Sequence, residues 1–307
     1  MKRVRQLLAR LSHRVQDALH RVNRALGGVP LLLKRTLDAY NAHDGTFVSA
    51  AMAYYFFFTL FPLVLAMITI GSLFLGTQQA RETAIELIGR LIPALRDTIA
   101  QVIDQVLAQR GAVGIVALLG LVYSASGLFG VLLAAVDRAW GCLTQRSSLA
   151  RRVLSVVLVL VLSLIFFLSA LATTAFEALR QRGFEPIGLS EEQAATLYMV
   201  TSLVLSLALT VGAFLVLYWR LPAARVHLGD AWPAALASGI AWETARQLYA
   251  WYLSRFANFT LVYGSLAAVI GLLTWFYLTA YIILLGTELT AQLAERHGRK
   301  PGTCDRY

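Results

Sequence analysis

Glu243 and Arg246 stand three positions apart in a run, Ala231 to Leu253, that is otherwise small, aliphatic, aromatic or neutral polar. If the run crosses a bilayer, both charges lie near its middle, where each costs about 2.5–3.5 kcal/mol on an insertion scale. A spacing of three brings them to neighbouring parts of one helix face, within reach of an ion pair. Such a couple has two uses. It can bind a zwitterionic or anionic group, with Arg246 as the anion contact, or it can lock helix packing. Both readings stand at the level of sequence. Ala231, Ala235, Gly239, Glu243 and Gln247 form an i+4 row that begins small and ends polar. Small residues admit a neighbouring helix closely, so the polar end is expected to face the interior of a bundle. Glu243, Arg246 and Gln247 are thus the candidate intramembrane polar site.

Other chemistry has little support. The histidines are His13, His20, His43, His227 and His297, and no two have the spacing of zinc ligands. A phosphate-cradling Gly-x-x-x-x-Gly-Lys loop is absent, which argues against ATP-driven work, and so is a Gly-x-Ser-x-Gly nucleophile elbow. No metal or cofactor is expected, and the chain is expected not to be an enzyme.

The elements that must position the pair are membrane helices. Of 307 residues, 58% are hydrophobic and only 14% charged, where a soluble domain carries about a quarter charged. Roughly 20 helical residues cross a hydrocarbon core. Six stretches qualify: Phe47–Leu75, Ala112–Val136, Val153–Phe176, Ala194–Tyr218, Ala231–Leu253 and Val262–Leu289. Evenly alternating strands are missing, which argues against a β-barrel. The expected fold is all-α, a polytopic membrane protein of six transmembrane helices. Residues 1–46 form a basic cytoplasmic arm, 47–291 the membrane domain and 292–307 a cytoplasmic tail.

Charge sets the orientation. The arm, the loops after the second and fourth spans and the tail together hold 19 Lys and Arg; the remaining loops hold 7. The positive-inside rule places both termini in the cytoplasm. The net charge of +10 is therefore a topology signal. It sits at membrane flanks without interleaved aromatics, so no nucleic-acid partner is expected. The first span begins too late and runs too long for a secretory signal and is expected to stay in the protein. Cys142 and Cys304 both fall on the cytoplasmic side, a reducing compartment in which no disulfide is expected.

Two further segments are amphipathic. In the arm, Val4, Leu7, Leu8, Leu11, Val15, Leu19, Val22 and Leu26 recur at helical spacing between arginines. That helix either lies on an anionic leaflet or packs on the protein's own loops, and Gly27, Gly28 and Pro30 are expected to end it. After the first span, Ile85, Ile88, Ile92, Leu95, Ile99, Val102 and Val106 step by three and four. This predicts an extracytoplasmic helical hairpin broken at Pro93, covering the bundle, lying on lipid or holding an envelope protein partner through residues 81–110. Spans one to three and four to six show no convincing inverted repeat.

Within the spans, Pro62 frees the carbonyl of Phe58, and Thr59 is placed to help satisfy the site. The run Tyr123-Ser-Ala-Ser-Gly127 and the pairs Gly264/Ala268 and Ala267/Gly271 are close-packing signals. Glu288 is expected at the cytoplasmic interface.

Four segments carry a resemblance. Ala50 to Leu63, containing Tyr54 and Pro62, resembles the opening motif of the YihY/BrkB family of inner-membrane proteins. Leu217 to Pro222, then Tyr263, Gly264 and Ser265 within Tyr263 to Val269, then Gly286 and Glu288 within Leu285 to Leu289, follow in matching order. Two positions depart from the family's habit: Thr287 stands where Ala is usual, and Tyr123 where Trp is common. The resemblance implies a bacterial inner-membrane protein with six helices and cytoplasmic termini. The family has been labelled a ribonuclease and linked to envelope integrity, serum resistance and lipid transport. The missing metal ligands argue against the first label. The residues and the resemblance together lead to a transporter or lipid-translocation component of the cell envelope. Its partners would be membrane lipids, and a homo-oligomer is compatible with the sequence. The alternative is an envelope scaffold.

Overall fold

The computed structural model describes residues 28–75, 110–142, 191–255 and 266–299, with single positions at 104, 108 and 304. Its elements are six α-helices: α1 Val29–Ala42, α2 Gly45–Leu75, α3 Arg110–Ala139, α4 Glu191–Arg220, α5 Leu228–Arg255 and α6 Leu266–Arg296. No strand occurs among the described residues. Helices occupy five of the six expected stretches, each lengthened or shifted by a few residues. The expected span 153–176 lies outside the described residues, as do the arm helix before Gly28 and nearly all of the 81–110 hairpin.

Three helices are long and apolar enough to cross a membrane among the described residues: the parts Gly45–Leu63, Gly114–Ala139 and Val269–Arg296. The apolar part of α4, Val204–Arg220, is shorter. In α5 the apolar run is interrupted by Asp230, Glu243, Arg246 and Arg255.

The helices stand in a curved row, α3–α2–α6–α5–α4, with α1 against α6 and α2. Helix α6 touches each of the other five. The core runs along this row, with Met52 of α2, Leu133 of α3, Tyr218 of α4, Ala235 of α5 and Ala280 of α6 all buried. Packing at the crossings depends on small residues. The expected packing surface on α3 is one of them: a Cβ at Gly127 would lie 2.5 Å from the ring of Tyr55. Its hydroxyls turn back on their own helix, Ser124 to the Gly120 carbonyl and Ser126 to that of Tyr123. Gly286 of α6 lies beneath a hydrogen bond from the Tyr218 hydroxyl of α4 to Ser238 Oγ of α5, 2.9 Å long, and a Cβ there would collide with both oxygens.

Helix α1 was not foreseen as an element of its own. Gly28 and Pro30, expected to end a helix, begin one: Gly28 takes a left-handed conformation (φ 85°) and Pro30 occupies the first turn. Helix α2 runs unbroken through Pro62. Thr59 donates to the carbonyl of Tyr55 at 2.6 Å, and not to that of Phe58 as expected.

The cysteine expectation is overturned. Cys142, just past α3, and Cys304, beyond α6, form a disulfide across 162 positions of sequence. Their Cα atoms are 5.9 Å apart, within the range that a disulfide requires. Reasoning from compartment alone had no access to that juxtaposition.

Candidate functional site

Helix α5 packs against α4 and α6. Its small row points inward as expected: Ala231, Ala235 and Gly239 are buried, and a Cβ on Gly239 would meet Val211 of α4 at 2.5 Å. Glu243 follows on the same row and is 5% exposed. One helical turn on, Arg246 donates from Nε to Glu243 Oε2 at 3.1 Å and from Nη2 to Oε1, a two-pronged contact. The two partners differ in exposure: the Glu243 side chain is 7% exposed and that of Arg246 51%. A guanidinium carries five N–H groups, and this contact takes two of them. The acid is thus enclosed while the base presents an open edge. Gln247, expected to face the interior, is exposed beside Arg246. The row turns outward after Glu243 because an i+4 row drifts about 40° per step around a helix of 3.6 residues per turn. Helix α5 stays packed on α6 through Tyr249, whose hydroxyl donates to the Gly271 carbonyl. Thr244 and Leu248 are exposed in the same region.

A second polar layer lies where the helices end. Asp44 takes a left-handed conformation (φ 57°) in the turn between α1 and α2, which Asp tolerates better than most residues. The turn brings His43 Nδ1 within 2.7 Å of Glu288 Oε1 on α6. Glu288 is 5% exposed, enclosed and partnered where the helices end. Arg138, near the end of α3, donates to the His43 carbonyl at 3.4 Å. Asp137 accepts from the Ala223 backbone N–H at 3.0 Å, joining α3 to the link between α4 and α5. Asp230, in the first turn of α5, is fully buried and holds His297 at 2.7 Å and Arg299 at 3.2 Å beyond the end of α6. Its other oxygen, Oδ2, is buried with no hydrogen-bond partner among the described residues. A small cavity between Tyr40, Val48, Ala135, Leu284, Thr287 and Glu288 holds about the space of a single water.

Tyr40 shapes that cavity. Its hydroxyl and Ser49 Oγ are 3.0 Å apart, and its ring meets Tyr281 edge-on at 5.0 Å. Burial pushes its phenol up, while hydrogen bonds with Ser49 and Thr46 pull the other way. Any side chain at Gly45 would strike the Tyr40 ring.

The motif positions distribute over these features. Glu288 and Gly286 sit at two crossings of α6, and Pro222 is buried in the link after α4. Tyr54 is exposed on α2 and lies over Phe58 at 4.4 Å. Pro62 is half-buried and packs near Gly120 of α3. Tyr263, Gly264 and Ser265 lie outside the described residues. Sequence reasoning missed His43, Asp137, Asp230 and His297 as partners. One signal was present: Asp137 sits near the C-terminus of its helix, where an acid opposes the helix dipole and needs a donor.

Among the described residues no group of three or more His, Cys, Asp or Glu side chains is arranged to hold a metal ion.

Comparison with known proteins agrees with this architecture. The chain is 28% identical over 274 residues to the putative ribonuclease-like protein YfkH of Bacillus subtilis, covering 86% of this chain and 95% of that one. It is 29% identical over 259 residues to a UPF0761 membrane protein of Aliivibrio salmonicida, covering 82% and 80%. A UPF0761 membrane protein of Vibrio vulnificus is 27% identical over 291 residues, covering 93% and 89%. No solved structure matches. The family model described as virulence factor BrkB matches residues 36–306. With helices long and apolar enough to cross a membrane and this match across most of its length, the chain is a multi-pass membrane protein and belongs to the virulence factor BrkB family.

Proposed function

We propose that this protein is a translocation component of the bacterial inner membrane that lets lipids with anionic headgroups pass along the outer face of α5. It crosses the bilayer six times with both termini in the cytoplasm. The observation that carries this reading is the asymmetry of the Glu243–Arg246 pair: a buried carboxylate holding a half-exposed guanidinium. Glu243 fixes the orientation of Arg246, and the remaining N–H groups point away from it, suited to a phosphate. Exposed Thr244 and Gln247 extend the polar strip. The half-exposed guanidinium on the outer side of α5 favours passage along a surface. The chain carries out no bond chemistry in this reading. The ribonuclease-like name of the Bacillus relative is a different reading, tested by incubating purified protein with RNA and divalent ions.

The test is reconstitution of the full chain into phosphatidylethanolamine–phosphatidylglycerol vesicles with a trace of fluorescent phosphatidylglycerol. Dithionite added outside bleaches about half the label in protein-free vesicles, since it reaches one leaflet. Wild type should bleach nearly all of it. Glu243→Gln with Arg246→Gln, which removes both charges, should slow the second phase roughly tenfold or more. A wild-type trace that matches protein-free vesicles, or a double variant as fast as wild type, would sink the proposal.

A further inference from the structure

Helix α1 has three faces. Thr36 and Tyr40, one turn apart, are buried against the bundle. Leu33 and Leu37, also one turn apart, lie on the neighbouring flank and are 52% and 44% exposed. Further round come the exposed Lys34, Asp38 and Asn41. Among the described residues, only the first face is buried against the bundle. Two leucines in register on an outer flank, with Lys34 next to them around the helix, are the pattern of a helix resting in a membrane interface.

The depth of α1 agrees. Gly28, at its start, lies beside the Arg296 guanidinium, and His43, just past its end, bonds Glu288. Those α6 positions are about 12 Å apart along the axis, whereas α1 is about 21 Å long. Helix α1 therefore leans across the final turns of α6, where the sequence has become polar (Glu295, Arg296, His297). Gly45 opens α2 directly after the His43–Asp44 turn, and the exposed Phe47, Phe58 and Phe61 continue an apolar surface along that membrane helix. Charge points to the kind of lipid. Besides Lys34 and Arg35, residues 1–27 carry seven Lys and Arg against a single acid, Asp17.

We infer that α1 is a lipid-contact helix whose Leu33–Leu37 flank is immersed at the level of the headgroups. Lys34, at the border of that flank, and the basic residues that precede α1 select anionic lipids around the base of α6. The bundle fixes its place through Tyr40, and the leaflet covers the flank that the bundle leaves open.

An environment-sensitive NBD fluorophore tests this. It is attached to Leu37→Cys or, as a control, Asp38→Cys in the full reconstituted chain, with the Cys142–Cys304 bond left oxidised. Unsubstituted protein taken through the same labelling sets the background. The label at 37 should emit at shorter wavelength and be quenched several-fold more by shallow spin-labelled lipids than the label at 38. Spin-labelled phosphatidylglycerol should quench it more than spin-labelled phosphatidylcholine, by roughly fivefold per basic residue in contact. Lys34→Gln combined with Gln at the seven basic residues of 1–27 should bring the two lipids toward parity. If the label at 37 is as open to a water-soluble quencher as that at 38, or the two lipids quench wild type equally, the inference fails.

Discussion

At Glu243 and Arg246 the two members of one pair are unequally placed, and this sets how the site responds to change. Removing Arg246 alone leaves an enclosed carboxylate without its donors. Losing both charges leaves neutral amides that can share a hydrogen bond. Breaking a fully buried pair costs about 3–5 kcal/mol, and replacing both partners can be nearly neutral. Because Arg246 is half exposed, solvent and lipid headgroups screen the loss, and about 1–3 kcal/mol is expected for Arg246→Gln. Thermal unfolding in detergent should therefore rank wild type and the double Gln variant close together, with Arg246→Gln clearly below both. A double variant less stable than the single one would mean that the couple is chiefly structural. The sequence made this pair legible because i,i+3 spacing within one helix is a local property. It did not reveal the partnership of His43 with Glu288, separated by 245 positions, because that depends on which helix ends meet.

Among elements, α6 has the most crowded surroundings, and Gly286 marks the tightest point. Helices α4 and α5 meet over it through Tyr218 and Ser238. A methyl group at 286 must push the two hydroxyls apart or displace α6. Overpacking of this kind costs about 1–3 kcal/mol. Gly286→Ala should lower the melting temperature measurably, and adding Ser238→Ala should recover part of the loss by removing one of the obstructing oxygens. No recovery would place the strain elsewhere on α6. The span positions and the small row on α5 could be read in advance because apolar length and i+4 spacing carry them. Helix α1 could not: its Gly28 and Pro30 serve equally as a stop and as a start. Only the packing of Tyr40 on Tyr281 decides between the two.

For the whole molecule, contacts between helix ends give a topological constraint independent of hydropathy. Asp137 meets Ala223, so α3 and α4 end on one side. Helix α4 has 30 residues and is about 45 Å long, longer than the roughly 30 Å hydrocarbon core. Its first residue, Glu191, then lies toward the opposite side. The six crossings proposed above predict that Glu191 and Arg225 face opposite sides. In a background with both native cysteines replaced, Glu191→Cys should react with a membrane-impermeant maleimide added to intact cells. Arg225→Cys should react only after the cells are opened. Labelling of both under one condition would refute the arrangement. The expectation of free thiols failed because the meeting of Cys142 with Cys304, 162 positions away, depends on which helix ends come together.

One consequence follows from the position of α6 in the row. Of the described helices it is the last to leave the ribosome, yet each of the others leans on it. The earlier helices must wait in the bilayer without their common neighbour, and Glu288 is synthesised long after His43 has passed. Until α6 emerges, the described helices can form two separate pairs, α2 with α3 and α4 with α5, and the arrival of this late segment joins them into one bundle.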